Sequence, residues 1–426
     1  MTVIDTHRAI DAVWRIESPK LIGALARMLR DVGRAEELAQ DALVAALEQW
    51  PRSGVPDNPG AWLMATAKHR AIDVLRRDAL LVRKHQELGH ELEDAHGGDE
   101  IEIAFEDDVG DDLLRLMFTA CHPLLSTEAR VALTLRLLGG LTTDEIARAF
   151  LVPEPTIAQR IVRAKRTLTD AQVPFEVPSA AERVPRLSSV LEVIYLVFNE
   201  GYSATAGDDL MRPALCEDAL RLGRVLAELA PDEAEVHGLV ALMEIQASRA
   251  RARIDARGQP VLLLEQNRAL WDRLLIRRGF AALERAARLG GEDGPYALQA
   301  AIAACHARAT RAEETDWARI AALYARLAAL TPSPIIELNR AVAVAMAFGP
   351  QAGLDLVEPL VKLPALAKYH LLPSVRGDFL AKLSRYDEAR AEFERAADMT
   401  RNARERELLL ARAATCVRDA AVAKAG

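Results

Sequence analysis

Between Thr142 and Leu168 the chain reads TTDEIARAFLVPEPTIAQRIVRAKRTL, with Arg160, Arg163, Lys165 and Arg166 crowded into one short segment. Such cations bind anions. On a chain of formal net charge -8, their clustering argues for a local target rather than general attraction to polyanions. Thr142 and Glu145 have the spacing of a capping box that opens a short helix to Phe150. Pro153 and Pro155 cannot continue that helix but can begin another, predicted from about Glu154 to Thr169. Along it Ile157, Ile161, Ala164 and Leu168 follow i, i+4, i+7, i+11 and form a buried stripe. Thr156, Gln159, Arg160, Arg163 and Arg166 lie on the other side. Two short helices with a tight turn, the second cationic outside, describe a helix-turn-helix. Its second helix would enter the major groove, where Arg donates two bonds to guanine and Gln pairs with adenine. A solvated surface helix with ordinary charges is the alternative reading of this segment alone.

A second basic stretch stands upstream. Between Trp62 and Lys84, the cations Lys68, Arg70, Arg76, Arg77, Arg83 and Lys84 are set against only Asp73 and Asp78. Between the two basic modules, residues 85–112 carry twelve Asp or Glu and no Lys or Arg, which predicts a self-repelling linker over 81–112. Two cationic modules on an anionic tether fit one extended nucleic-acid ligand gripped at two points.

The elements behind these modules read as helices throughout. At 426 residues, 50% hydrophobic and only 5% aromatic, the composition suits about three all-α domains. Ser18 and Pro19 are a plausible N-cap and first position of a helix; Asn58 and Pro59 repeat that pattern before AWLMATAKHRAIDVLRR. No apolar run spans a bilayer and no secretory signal is visible, so a cytoplasmic protein with no membrane partner is expected. Cys121, Cys216, Cys305 and Cys416 are far apart. The pairs Cys121-His122 and Cys305-His306 put neighbours in different directions on a helix, so neither disulfide nor metal site is expected. No nucleophile elbow or P-loop occurs, and neither catalytic residues nor cofactors are assigned.

Beyond a Pro-rich break over 171–186, residues 187–420 show weak repetition. Ala389, Phe393 and Ala396 have the spacing of the second helix of a tetratricopeptide (TPR) repeat, with Gly377 upstream. Ala219 precedes Pro231, and Tyr324 precedes Pro332, as that repeat requires. Starts near 301, 335 and 370 give a period close to the roughly 34 residues of a TPR. Pro373, Arg376 and Leu380 stand where Trp, Leu and Tyr are typical. A TPR-like stack of helix pairs is predicted, a non-repetitive α-bundle being the alternative.

These residues resemble the extracytoplasmic-function (ECF) sigma factors of bacterial RNA polymerase, in the sigma-70 family. GRAEELAQDALVAALEQW is similar to their regions 2.1–2.2 and NPGAWLMATAKHRAIDVLRR to regions 2.3–2.4. LSTEARVALTLRLLGGLTTDEIARAFLVPEPTIAQRIVRAKRTL is similar to region 4, and VIYLVFNEGYSAT to the opening of one subgroup's TPR-like extension. The resemblance implies a region 2 domain over 6–80 and a region 4 domain over 113–170.

It also implies roles. Glu36, Glu37, Gln40 and Asp41 would face the β′ clamp helices of core polymerase, whose β flap is a further expected partner, with Leu38, Ala42 and Leu43 as apolar support. The loop Val55 to Gly60, including Asn58, and then Lys68, His69, Asp73, Arg76 and Arg77, would hold the −10 strand with a base extruded. His69 stands where many relatives have Asn. Trp62 would either stack on DNA or join the core. Gln159, Val162 and Arg163 would face −35 base edges, while Thr156, Arg160, Lys165 and Arg166 hold phosphates. Leu151 replaces the usual turn Gly, and Ala158 a frequent basic residue. The acidic linker would either imitate RNA in the polymerase cleft or serve as a solvated spacer. The implied function is promoter-specific initiation with core polymerase and promoter DNA as partners, tuned by a TPR-like domain that takes a protein or peptide ligand. A polymerase-independent helix-turn-helix regulator is the alternative.

Overall fold

A computed structural model describes residues 3–87, 109–204, 210–255 and 258–425. Among them are eighteen α-helices and no strand, only an isolated bridge between Ile254 and Pro260. Two compact units divide the chain, Met1–Val193 and Ile194–Gly426.

The first unit holds α1 (Val3–Leu29), α2 (Val32–Ser53), α3 (Pro59–Glu87), α4 (Val109–Ala120), α5 (Thr127–Leu137), α6 (Thr143–Phe150), α7 (Glu154–Asp170) and the start of α8 (Ala180–Tyr202). α1 packs on α2, α3 and α4, and α5 packs on α7. Buried Leu21, Ile22, Leu25, Ala42, Trp50, Leu63 and Ala67 form the core of the first three helices. Asp31 caps α2 by accepting from Arg34 N. Asn58 caps α3, its Oδ1 accepting from Ala61 N at 3.0 Å.

Three expectations change here. Pro19 does not begin a helix but sits inside α1. A proline interior costs about 3 kcal/mol; burial of Leu21, Ile22 and Leu25 just beyond it offsets that cost. Gly140, at φ 70°, lies close against this turn, where a Cβ would come 3.3 Å from Arg15 Cα. The ends of the predicted linker 81–112 are helical, since α3 continues to Glu87 and α4 begins at Val109; residues 88–108 lie outside the described residues. Asp112 is buried, bonded to Arg27 at 3.1 Å and Arg115 at 2.8 Å. Finally, α8 begins at Ala180, within the break predicted over 171–186. Its first turns belong to the unit: Arg130 reaches Glu192 at 3.1 Å, and Ser189 donates to the Cys121 carbonyl at 2.6 Å.

The second unit continues with α9 (Pro213–Leu229), α10 (Ala234–Ala247), α11 (Arg273–Arg288), α12 (Pro295–Arg308), α13 (Trp317–Leu330), α14 (Pro334–Phe348), α15 (Pro350–Val357), α16 (Leu371–Lys382), α17 (Tyr386–Met399) and α18 (Ala403–Ala425). From α12 onward each helix packs on the next in chain order, the TPR-like stack expected. Gly377 does what its spacing promised: a Cβ there would lie 3.0 Å from the Phe393 ring, so α16 and α17 meet at a residue with no side chain. Ala389, Phe393 and Ala396 are all buried there. The expected starts near 335 and 370 match α14 and α16, whereas 301 falls inside α12. Unforeseen is the stretch between α10 and α11, whose described residues hold no α-helix but the short 3-10 turns Ala250–Ala252, Leu263–Glu265 and Arg268–Leu270.

Candidate nucleic-acid interface

α6 and α7 form the helix-turn-helix. The capping box is complete: Thr142 Oγ1 accepts from Glu145 N at 3.1 Å, and Glu145 accepts from Thr142 N at 2.8 Å. Leu151 closes α6 in the left-handed region, φ 51° and ψ 44°, which is the conformation a turn Gly would supply without strain. On α7 Ile157, Ile161, Ala164 and Leu168 are buried as the period required. Gln159, Val162, Arg163 and Arg166 are exposed, Thr156 and Arg160 half-buried. Val162 is 64% exposed. A branched apolar group left in water on a cationic face is what a thymine methyl contact needs.

Lys165 departs from that face. It makes an ion pair with Glu36 of α2, and Arg136 of α5 pairs with the same carboxylate at 2.6 Å. The approach is close: a Cβ on Gly33 would lie 3.7 Å from the Lys165 stem. Thr169 also reaches Asp31 at 3.4 Å, and Arg15 reaches Glu145 at 2.9 Å. Burial opposes the charge on Glu36, which is 2% exposed, but Lys165 and Arg136 outweigh it and hold the carboxyl below its ordinary value.

The four acids and amides expected to share one outer face therefore do not. Glu36 and Gln40 turn inward and bond to each other, with Glu36 sealed against α5 and α7; Glu37 and Asp41 stay exposed. The reason is periodic: i and i+4 share a face, and two such pairs one residue apart face different neighbours. Asp41 pairs with Arg70 of α3 at 3.3 Å.

Along α3, His69, Asp73, Arg76 and Arg77 are exposed, as is Asn58 ahead of it, while Lys68 is half-buried. The His69 ring bonds through Nδ1 to the Ala65 carbonyl at 2.8 Å, which leaves Nε2 outward. Half-buried Trp62 forms a T-shaped pair with buried Trp50, centroids 5.4 Å apart, which ties it to the core. The sequence reading missed Arg136. Its signal was there, a lone cation in the apolar run VALTLRLL. Among the described residues no helix is long and apolar enough to cross a membrane.

Family models match three stretches: sigma-70 region 2 at residues 14–80, sigma-70 region 4 at 115–168, and a family of unknown function at 186–287. An uncharacterised protein of Rhizobium meliloti is 46% identical over 93% of both chains. A probable RNA polymerase sigma-C factor of Mycobacterium bovis is 31% identical, covering 33% of this chain and 71% of its own. The ECF RNA polymerase sigma factor SigK of Mycobacterium ulcerans is 29% identical over 35% of this chain and 78% of its own. The crystal structure of yeast Tom70 aligns with a TM-score of 0.32 at 12% identity, over 98% of this chain and 85% of that one.

Proposed function

The chain belongs to the extracytoplasmic-function sigma factors of the sigma-70 family, and from that premise we propose that it directs promoter-specific initiation under the control of its own second unit. Sigma factors are not themselves enzymes; the family works by binding core RNA polymerase and promoter DNA. In this reading α7 reads the −35 element, with Gln159, Val162 and Arg163 on base edges and Thr156, Arg160 and Arg166 on phosphates. Asn58, Lys68, His69, Asp73, Arg76 and Arg77 hold the −10 strand. Glu37 and Asp41 meet the β′ clamp helices.

The observation that carries the reading further is the ion-pair cluster Glu36–Arg136–Lys165. It occupies at once a carboxylate assigned to polymerase and a cation assigned to phosphate. Both assigned contacts require the cluster to open, so the described arrangement is the resting form. Opening exchanges the Glu36 carboxylate for a DNA phosphate on Lys165. The helix-pair stack of the second unit supports a control role, because such stacks present extended surfaces to protein or peptide ligands.

The test is in vitro transcription with purified core polymerase on a promoter library, comparing the full chain with a truncation after Val193, where the first unit ends. A change in promoter activity or polymerase affinity on truncation is expected. Unchanged values would end the control role, and failure of the full chain to associate with polymerase would favour a free-standing DNA-binding regulator.

A further inference from the structure

The non-helical stretch between α10 and α11 lies against α16 and α18 and closes a cavity of about 250 Å³. Three guanidinium groups line it, Arg249, Arg253 and Arg412. Two are occupied. Arg412 pairs with Asp378 and stacks over Phe393 at 4.3 Å, and Arg253 donates to the Tyr202 carbonyl and lies 3.7 Å from that ring's centroid. The one lining carboxylate, Glu405, lies 3.1 Å from His370 Nε2 and accepts from Thr400 Oγ1 at 2.9 Å.

Arg249 is different. Its Nε is shielded from solvent with no hydrogen-bond partner, and its nearest recorded company is the face of Trp271 at 5.5 Å. Burial lowers its pKa first of all; the Tyr202 phenol opposes this, the cations Arg253 and Arg268 add to it, and no carboxylate bears on it. Arg268 shows the contrast: only 7% exposed, it is spent on the Ala309 carbonyl at 2.8 Å and Thr315 at 3.0 Å. A second orphan faces the same cavity. Gln266 is 6% exposed, its Nε2 donates to the Val261 carbonyl at 3.1 Å, and its Oε1 accepts nothing. A half-buried cation with a shielded, unpaired Nε and a buried acceptor without a donor are each costly. One molecule carrying both an anion and a donor would relieve the two together.

We propose that this cavity binds a small organic carboxylate, its anionic head on Arg249, a hydrogen-bond donor on Gln266 Oε1 and its apolar body against Leu263, Leu371 and Leu409. The volume is below the roughly 300–1,000 Å³ of drug-sized sites, which excludes nucleotides and favours an acid of a few carbons. The apolar wall disfavours bare phosphate. That the site is an input to transcription rests on the control role proposed above; binding itself does not.

The experiment titrates the full chain with hexanoate, 2-hydroxyhexanoate, hexanamide and inorganic phosphate, by calorimetry and by thermal shift. Both carboxylates should bind, the hydroxy acid several-fold tighter, and hexanamide and phosphate should bind at least tenfold more weakly. Arg249→Met should abolish carboxylate binding while leaving the ligand-free melting temperature unchanged or raised, because it removes a half-buried lone charge. Gln266→Leu should erase only the preference for the hydroxy acid, and serves as the readout if the first variant does not fold. Equal binding by wild type and Arg249→Met, no binding by either acid, or a peptide with a free C-terminal carboxylate binding tenfold tighter than hexanoate would each overturn the proposal.

Discussion

One enclosed charge in each unit organises its surroundings, and the two are handled in opposite ways. In the first, Glu36 is met by Arg136 and Lys165, two cations from different helices. In the second, Arg249 is met by an aromatic face and no carboxylate among the described residues. A satisfied buried charge fixes an arrangement and must be broken to change it. An unsatisfied one leaves an arrangement waiting for something outside the chain. The first unit therefore looks like a latch and the second like a receptor.

The sharpest way to break this comparison is Glu36→Ala. It strands two cations at a partly buried site and should cost about 3–5 kcal/mol, read by urea unfolding of the full chain. A cost under about 1 kcal/mol would make the cluster an ordinary surface contact. Next is acid titration of the second unit. Burial, with Arg249 and Arg268 nearby, lowers His306 to about 3, so the folded chain binds fewer protons than the unfolded one between there and 6.5. Stability should fall as pH drops through that window, by at most about 1.4 kcal/mol per pH unit. His306→Phe should flatten the slope. Third, Arg163→Ala should cost about 1–3 kcal/mol in DNA binding and relax preference at one −35 position, measured on a promoter library. An equal loss on all sequences would instead mark Arg163 as a phosphate contact. The smallest effect is Leu151→Gly, which should stabilise the chain by up to about 1 kcal/mol by removing left-handed strain, less the flexibility glycine adds to the unfolded state.

The cationic helix was legible because local rules decide it. The capping box, the two prolines and the apolar stripe all concern residues within a few turns, and the structure agrees with each. The TPR-like pairing of α16 and α17 was legible for the same reason, through Gly377 and Phe393. What escaped is tertiary. Pro19 reads as a helix start by propensity, and only the packing around Leu21 and Gly140 keeps it inside one. Glu36 and Glu37 look alike in sequence, and which one faces α7 depends on a neighbour more than a hundred residues away in the chain. Asp112 read as the end of an acidic run, yet it is the first buried contact of the next helix.

That aspartate has a consequence for acid tolerance. Burial dominates at Asp112 and raises its pKa despite Arg27 and Arg115, so its contribution to stability is absent at neutral pH and grows as protons bind, completing below 3.8. Glu36 runs the other way, its contribution present above 4.5 and fading as pH falls through its lowered folded value. Two enclosed carboxyls on helices that both pack against α1 thus offset one another, and mild acidification should disturb this half of the molecule less than a tally of its enclosed acids suggests.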